Sequence, residues 1–220
     1  MIRPKELSFN DCGLADLEIF FGLRRVYQSP ELQSWINTPN TVDSNEAFML
    51  EKIQLLLIDN VEHWNEQDLS LHFIGPLFTL VGFTERYRFN LFSQANLSAQ
   101  IQDILLSGRV DELIASGYRR FETPFFCFNE YKKESDFKGD PAGQALAAML
   151  VGEALNNAKM PIYGSYIVGR NWFFMVLHQS KYAISKLYDG TDIADLQTIL
   201  KTLKNLKNIC LKRTQPITNI

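Results

Sequence analysis

Asp111 is followed, after eighteen intervening residues, by the run Glu130-Tyr131-Lys132. Two carboxylates and an amine in that order suit one kind of chemistry. Carboxylate oxygens are hard donors for Mg²⁺, which takes one or two of them and leaves its other positions to water and phosphate oxygens. The backbone carbonyl of Tyr131 lies close enough in sequence to complete such a set. Lys132 shares a strand face with Glu130 and would orient or deprotonate a water, or stabilise charge developing on a phosphate. Metal-assisted hydrolysis of a phosphodiester is the reaction these groups suit best.

The elements that must position them lie within residues 108–133. A first strand near 109–115 alternates polar and apolar residues. A second, near 124–132, runs Pro124, Phe125, Phe126, Cys127, Phe128 and then turns polar at Asn129. An aromatic run bounded by turn residues reads as a strand buried on both faces. Alternation puts Glu130 and Lys132 on the face of Phe126 and Phe128. Pairing Ala115 with Phe126 brings Asp111 opposite Glu130.

Around this hairpin the pattern predicts helices over 14–27 and from Pro30 through Trp35, then a turn-rich link at 37–44. A helix over 45–63 carries Phe48, Ile53, Leu56, Leu57 and Val61 at helical spacing. Another, over 66–80, is kinked or divided by Pro76. One strand is expected between 83 and 106. Asp140-Pro141 starts an alanine-rich helix reaching about residue 157. Strands follow at 161–168 and 172–177, with an edge strand over 181–188 and a final helix over 193–209. Helices, strands, helix, strands, helix is the order of a mixed α/β domain, one sheet covered by helices. The link at 37–44 divides an N-terminal helical extension, 1–44, from the main domain, 45–220.

Composition bounds the function classes. The 220 residues are 46% hydrophobic and 21% charged, as in an ordinary globular protein. No apolar run reaches membrane-span length and the start carries no signal-peptide core, so the cytoplasm is the expected compartment and no membrane partner is expected. Cys12, Cys127 and Cys210 form no CxxC pair, and His63, His72 and His178 stand apart, which argues against a zinc site or a Cys-His hydrolase. The net charge of −3 is not that of a generic nucleic-acid binder. Its distribution is uneven: residues 100–220 hold 15 Lys and Arg against 12 Asp and Glu, and residues 1–99 hold 7 against 13.

With the strand placement and the capped helix that follows, Asp111 and Glu130-Tyr131-Lys132 resemble the PD-(D/E)XK signature of the restriction-endonuclease-like nuclease superfamily. The run EYKKE…GDPAGQALAAML…YGSYIVGRNWFFMVL is similar to an uncharacterised bacterial branch of it. The resemblance covers roughly residues 45–190 and implies a core of helix, three strands, helix and strand. It implies Asp111 and Glu130 as ligands of Mg²⁺ or Mn²⁺, the Tyr131 carbonyl beside them, and Lys132 as the catalytic lysine. Gln144 holds the place of a polar residue facing the site, and Glu66, with Glu62 next, matches an acid supplied by the first core helix. Val110 stands where the signature has proline, and Ala148 where the QxxxY pattern has tyrosine.

The implied function is a metal-dependent nuclease acting on DNA, with Arg119, Arg120 and Lys133 as nucleic-acid contacts; a homodimer would suit cutting both strands. The rival reading is a catalytically inactive binding or assembly module on the same fold. Plainer readings stand beside each assignment. Glu130 and Lys132 make a strand-end ion pair worth little, Gln144 is a helix-surface amide, and Glu66 favours a helix N-terminus. The series Lys201, Lys204 and Lys207 reads as a solvated face opposite the leucine stripe.

Overall fold

The computed structural model describes residues 5–134, 139–157 and 159–214. The chain begins with β1 (Glu6–Ser8), a 3-10 turn at Phe9–Asp11, α1 (Leu14–Phe21) and β2 (Arg24–Arg25). Four helices follow: α2 (Pro30–Asn37), α3 (Ser44–Asn60), α4 (Glu66–Leu69) and, after a π-helical turn at Ser70–Ile74, α5 (Gly75–Val81). The strands β3 (Phe89–Ile101), β4 (Ile104–Ser116) and β5 (Glu122–Lys132) lead into α6 (Pro141–Leu155). The chain continues through β6 (Ile162–Val168), β7 (Asn171–His178), β8 (Lys181–Ile184) and β9 (Tyr188–Asp189) to α7 (Ile193–Arg213). The expected core order, helix, three strands, helix and strand, is present from α5 to β6.

Among the described residues one mixed sheet of nine strands runs β1-β4-β5-β6-β7-β8-β2, with β3 also on β4 and β9 on β7. Strand β4 runs antiparallel to both β3 and β5, and β5 pairs β6 in parallel. Helices α1 and α6 cover one face, where Phe128, Leu146, Met149, Ile162 and Met175 pack. On the other face α2, α3, α5 and α7 bury Leu50, Phe73, Phe126, Trp172 and Leu203. None of the described helices is long and apolar enough to cross a membrane.

The helix starts follow from their caps. Asp140 accepts from Gly143 N at 3.0 Å, with Pro141 in the first turn. Its other oxygen accepts from Leu14 N at 2.9 Å, which ties α1 to α6. Small residues let α6 lie on the sheet: a Cβ at Gly152 would fall 2.3 Å from the Phe128 ring.

Several expectations change. Residues 83–106 hold a long β3 and the start of β4, joined by a two-residue turn at Gln102-Asp103, with Ile101 paired to Ile104. Periodicity gave one strand there because the turn has no Gly or Asn to mark it. In α3 the buried residues are Leu50, Ile53 and Leu57, whereas Phe48 is 57% and Leu56 42% exposed. The helix is apolar nearly all round, so spacing alone selects no face. β8 is not an edge, since β2 pairs beyond it. Within residues 1–44, expected as a helical extension, β1 pairs with β4 and β2 with β8, so the described part is interleaved with the sheet.

Candidate functional site

β4 and β5 pair Ile114 with Cys127, Leu113 with Phe128 and Glu112 with Asn129, the register expected for this end of the hairpin. Nearer the loop it differs. Ala115 pairs with Phe125 rather than Phe126, which leaves Phe126 as the extra residue of a bulge. Phe126 therefore joins Tyr131 in the α7-side core, while Phe125 and Phe128 face α6. Glu130 and Lys132 share the face of Phe128, as expected, but not that of Phe126, a correction to the pattern reading.

Below the Glu112–Asn129 pair the two strands part, and Asp111 sits in the fork. Its Oδ2 accepts from Tyr131 N at 3.0 Å and its Oδ1 from Gln94 Nε2 at 3.0 Å. The Lys132 carbonyl accepts from Gly169 N on the β6 side. Successive strand carbonyls point to opposite neighbours, so the Tyr131 carbonyl turns toward β4 and Asp111. Lys132 Nζ lies 2.7 Å from Glu130 Oε1 and 3.6 Å from Glu66 Oε1. Asp111, Glu130, Lys132, Tyr131 and Glu66 thus gather at one fork.

A cleft of about 780 Å³ opens beside it, lined by Glu66, Ser70, Gln94, Arg109, Asp111, Glu112, Tyr131 and Lys133. Glu130 and Lys132 are not among its lining residues; they sit beneath, with side chains 9% and 17% exposed. A cavity of equal size between α2 and the end of α7 has one carboxylate, Glu31, and none of the fork residues.

The electrostatics of the fork are those of crowded acids. Burial, then the charge of Asp111, pushes the Glu130 carboxyl up to about 7 against the pull of Lys132. Burial likewise raises Glu112 to about 7, with Asp111 adding and the Ser93 hydroxyl, donating at 2.9 Å, opposing. Burial alone would lower the Lys132 ammonium, but its hydrogen bond to Glu130 and the charges of Glu130, Glu66 and Asp111 leave it raised. Lys132 is therefore a cation at neutral pH.

The donor set fits a hard cation. Among the described residues no three His, Cys, Asp or Glu side chains gather into a cage. An ion at the fork would be held by two carboxylates and a backbone carbonyl and would keep positions for water and phosphate, the pattern of Mg²⁺ rather than zinc.

The remaining expected residues fall in three places. Lys133 lines the cleft, and Arg119 and Arg120 line a groove next to it. Gln144 is 5% exposed, near Gly139 rather than in the cleft, and its Oε1 has no hydrogen-bond partner among the described residues. Glu62 is drawn away, 3.5 Å from Arg170. Pattern reading missed Glu112, Gln94, Ser93 and Arg109. Arg109 was available from alternation two residues before Asp111, whereas Ser93 and Gln94 needed the β3–β4 pairing.

No family model matches the chain, and no curated protein sequence matches it. Among solved structures it is similar to a chain in the cryo-EM structure of a DrdV–DNA complex, with TM-score 0.42 and 15% identity. The alignment covers 72% of this chain and 14% of that one, so this chain spans a small part of that chain's length.

Proposed function

We propose that this protein is a metal-dependent nuclease that hydrolyses DNA phosphodiester bonds at the β4–β5 fork. The observation that carries the reading is the gathering of Asp111, the Tyr131 backbone, Glu130 and Lys132 there. Asp111 and Glu130, with the Tyr131 carbonyl, would hold Mg²⁺ or Mn²⁺. Bound there, the ion would polarise the phosphate and lower the pKa of the attacking water.

The chain's own residues do the rest. Lys132, held as a cation by Glu130 and Glu66, stabilises charge on the phosphate and orients the water rather than taking its proton. Gln94 fixes Asp111 by donating to Oδ1. Glu66 steadies Lys132 from the cleft wall, whereas Gln144, buried near Gly139, has, among the described residues, no contact with the fork that would give it a part in the reaction. Arg109, Arg119, Arg120 and Lys133 offer contacts to phosphates. The three cysteines are buried and unpaired, which suits the reducing cytoplasm. Purified protein with Mn²⁺ should cut a panel of single- and double-stranded DNA, and Asp111→Ala should lower the rate at least about 100-fold. Cutting that survives this change refutes the assignment.

One observation favours the second reading, an inactive binding or assembly module. The outer side of α3 exposes Phe48, Met49, Leu55, Leu56 and Ile58, each by 41% or more. A homodimer through this face would appear in light scattering and be lost in Leu55→Glu. The module reading further requires that Mn²⁺ leave the melting temperature unchanged.

A further inference from the structure

The hairpin loop between β4 and β5, joined to the cleft by a groove, carries groups that phosphodiester chemistry does not use. Tyr118 is 45% exposed at the loop tip, its ring 6.0 Å from that of Tyr87. The Arg86 guanidinium lies 4.7 Å over the Tyr87 ring. Guanidinium and two aromatic rings, the rings inclined at 39°, thus gather from two separate turns, one before β3 and one between β4 and β5. Arg119 and Arg120 follow Tyr118 directly, both exposed and neither paired with an acid among the described residues.

The loop is built to hold this arrangement. Asn90, buried, donates its side-chain amide to the carbonyls of Gly117 and Tyr118 at 3.4 and 2.8 Å. Gly117 has φ of 107°, and a Cβ there would lie 2.0 Å from the Arg120 carbonyl, so only glycine closes the turn. Tyr87 itself is held at φ of 66°, a conformation that L residues rarely adopt. A groove of about 630 Å³, walled by Phe92, Gln94, Arg119, Arg120 and Phe121, runs from the loop and shares Ser93 and Gln94 with the cleft. At about 3.4 Å per residue, Asp111 lies roughly 17 Å along β4 from Ser116 at the loop.

We propose that Tyr118 and Tyr87, backed by Arg86 and flanked by Arg119 and Arg120, form a stacking platform for an unpaired DNA strand entering the cleft. The inference rests on the nucleic-acid reading of the fork and names its substrate class: single-stranded or locally unpaired DNA. The chemistry is specific. Phosphates alone would need only the arginines, whereas an open aromatic face beside them meets the π-surface of a base, and a base offers that surface only when it is unstacked. A duplex would present the loop with phosphates alone.

The test is fluorescence anisotropy in EDTA with a labelled 20-nucleotide single strand of mixed sequence and with the corresponding duplex. Wild type should bind the single strand more tightly. Tyr118→Ala should weaken that binding about tenfold and leave duplex binding nearly unchanged; Tyr118→Phe should keep it. Replacing Arg119 and Arg120 together by alanine should flatten the slope of log K against log salt by about 1.4 for the single strand. All these side chains are exposed or at the surface, and matching thermal melts verify that the variants fold. A duplex bound as tightly as the single strand, or single-strand binding within about twofold of wild type in Tyr118→Ala, overturns the proposal. Because binding is read without metal, the two readings fail separately. Tyr118-dependent binding without Mn²⁺-dependent cutting sinks the nuclease alone, and cutting without Tyr118 dependence sinks the platform alone.

Discussion

The outer helix α7 and the β4–β5 fork treat charge in opposite ways. On α7 two partly buried lysines are each answered: Lys204 Nζ lies 2.8 Å from Glu46 and from the Thr41 carbonyl, and Lys207 Nζ 2.9 Å from Glu85. Asn205 is satisfied too, donating to the Trp35 and Thr38 carbonyls and accepting from Asn40. At the fork three carboxylates, Asp111, Glu130 and Glu66, act on the one cation Lys132, Glu112 stands next to Asp111, and two of the four are pushed up to about 7. A surface laid out for stability pairs its charges; a site keeps an excess of one sign for something that arrives later. The lysine series on α7, expected as a solvated face, is at Lys204 and Lys207 a partly buried set of ion pairs that ties the helix to its neighbours.

Three measurements bear on that contrast. The first and largest effect concerns the missing positive charge. At pH 8, millimolar Mn²⁺ should raise the melting temperature of wild type by several degrees and that of Asp111→Ala by almost nothing. Equal shifts in both proteins would mean that the fork is not where the ion acts.

Next comes the sign of the pH dependence. Glu112 is raised in the folded state, so between about 4.5 and 7 the folded protein holds a proton that the unfolded chain has released. Its contribution to stability is therefore fully present below pH 4.5 and is lost as pH rises through 7. Glu112→Gln keeps an acceptor for Ser93 and removes the charge. It should stabilise the metal-free protein at pH 8 by about 2 kcal/mol and change little at pH 4.5, read from urea midpoints. Destabilisation at pH 8 would show that Glu112 has a partner that its geometry does not reveal.

Smallest is the effect on the matched side. Lys204→Ala should cost no more than about 1 kcal/mol and leave Mn²⁺ stabilisation untouched. A change in the metal response would tie α7 to the fork and blur the distinction.

How much of this was legible in the sequence depends on how local each signal is. The switch from Phe128 to Asn129 and Glu130 marks the strand end, and the register reached by pairing Ala115 with Phe126 holds from Ile114–Cys127 to Glu112–Asn129 although that pair itself does not form. Asp140-Pro141 announces α6 through a cap that is local by nature. The bulge at Phe126 was hidden, because one extra residue leaves the composition of a strand unchanged while reversing the faces beyond it. Ser93 and Gln94 were hidden for another reason: their place at the site comes from a turn at Gln102-Asp103 with no residue that advertises it. In α3 apolar side chains on every side defeated any choice of face, and Phe48 was assigned inward where Leu50 is buried instead.

The placement of β1 and β2 bears on how the chain can be made. Arg24 pairs with Lys181 and Glu6 with Leu105, so two short segments near the start cover backbone of β8 and of β4. A ribosome releases them before either docking partner exists: β1 waits for residues 105–107 and β2 for residues 181–182. Completion of the sheet therefore waits for β8, and a chain trimmed past Arg25 would present two raw backbone borders ready to recruit neighbouring molecules.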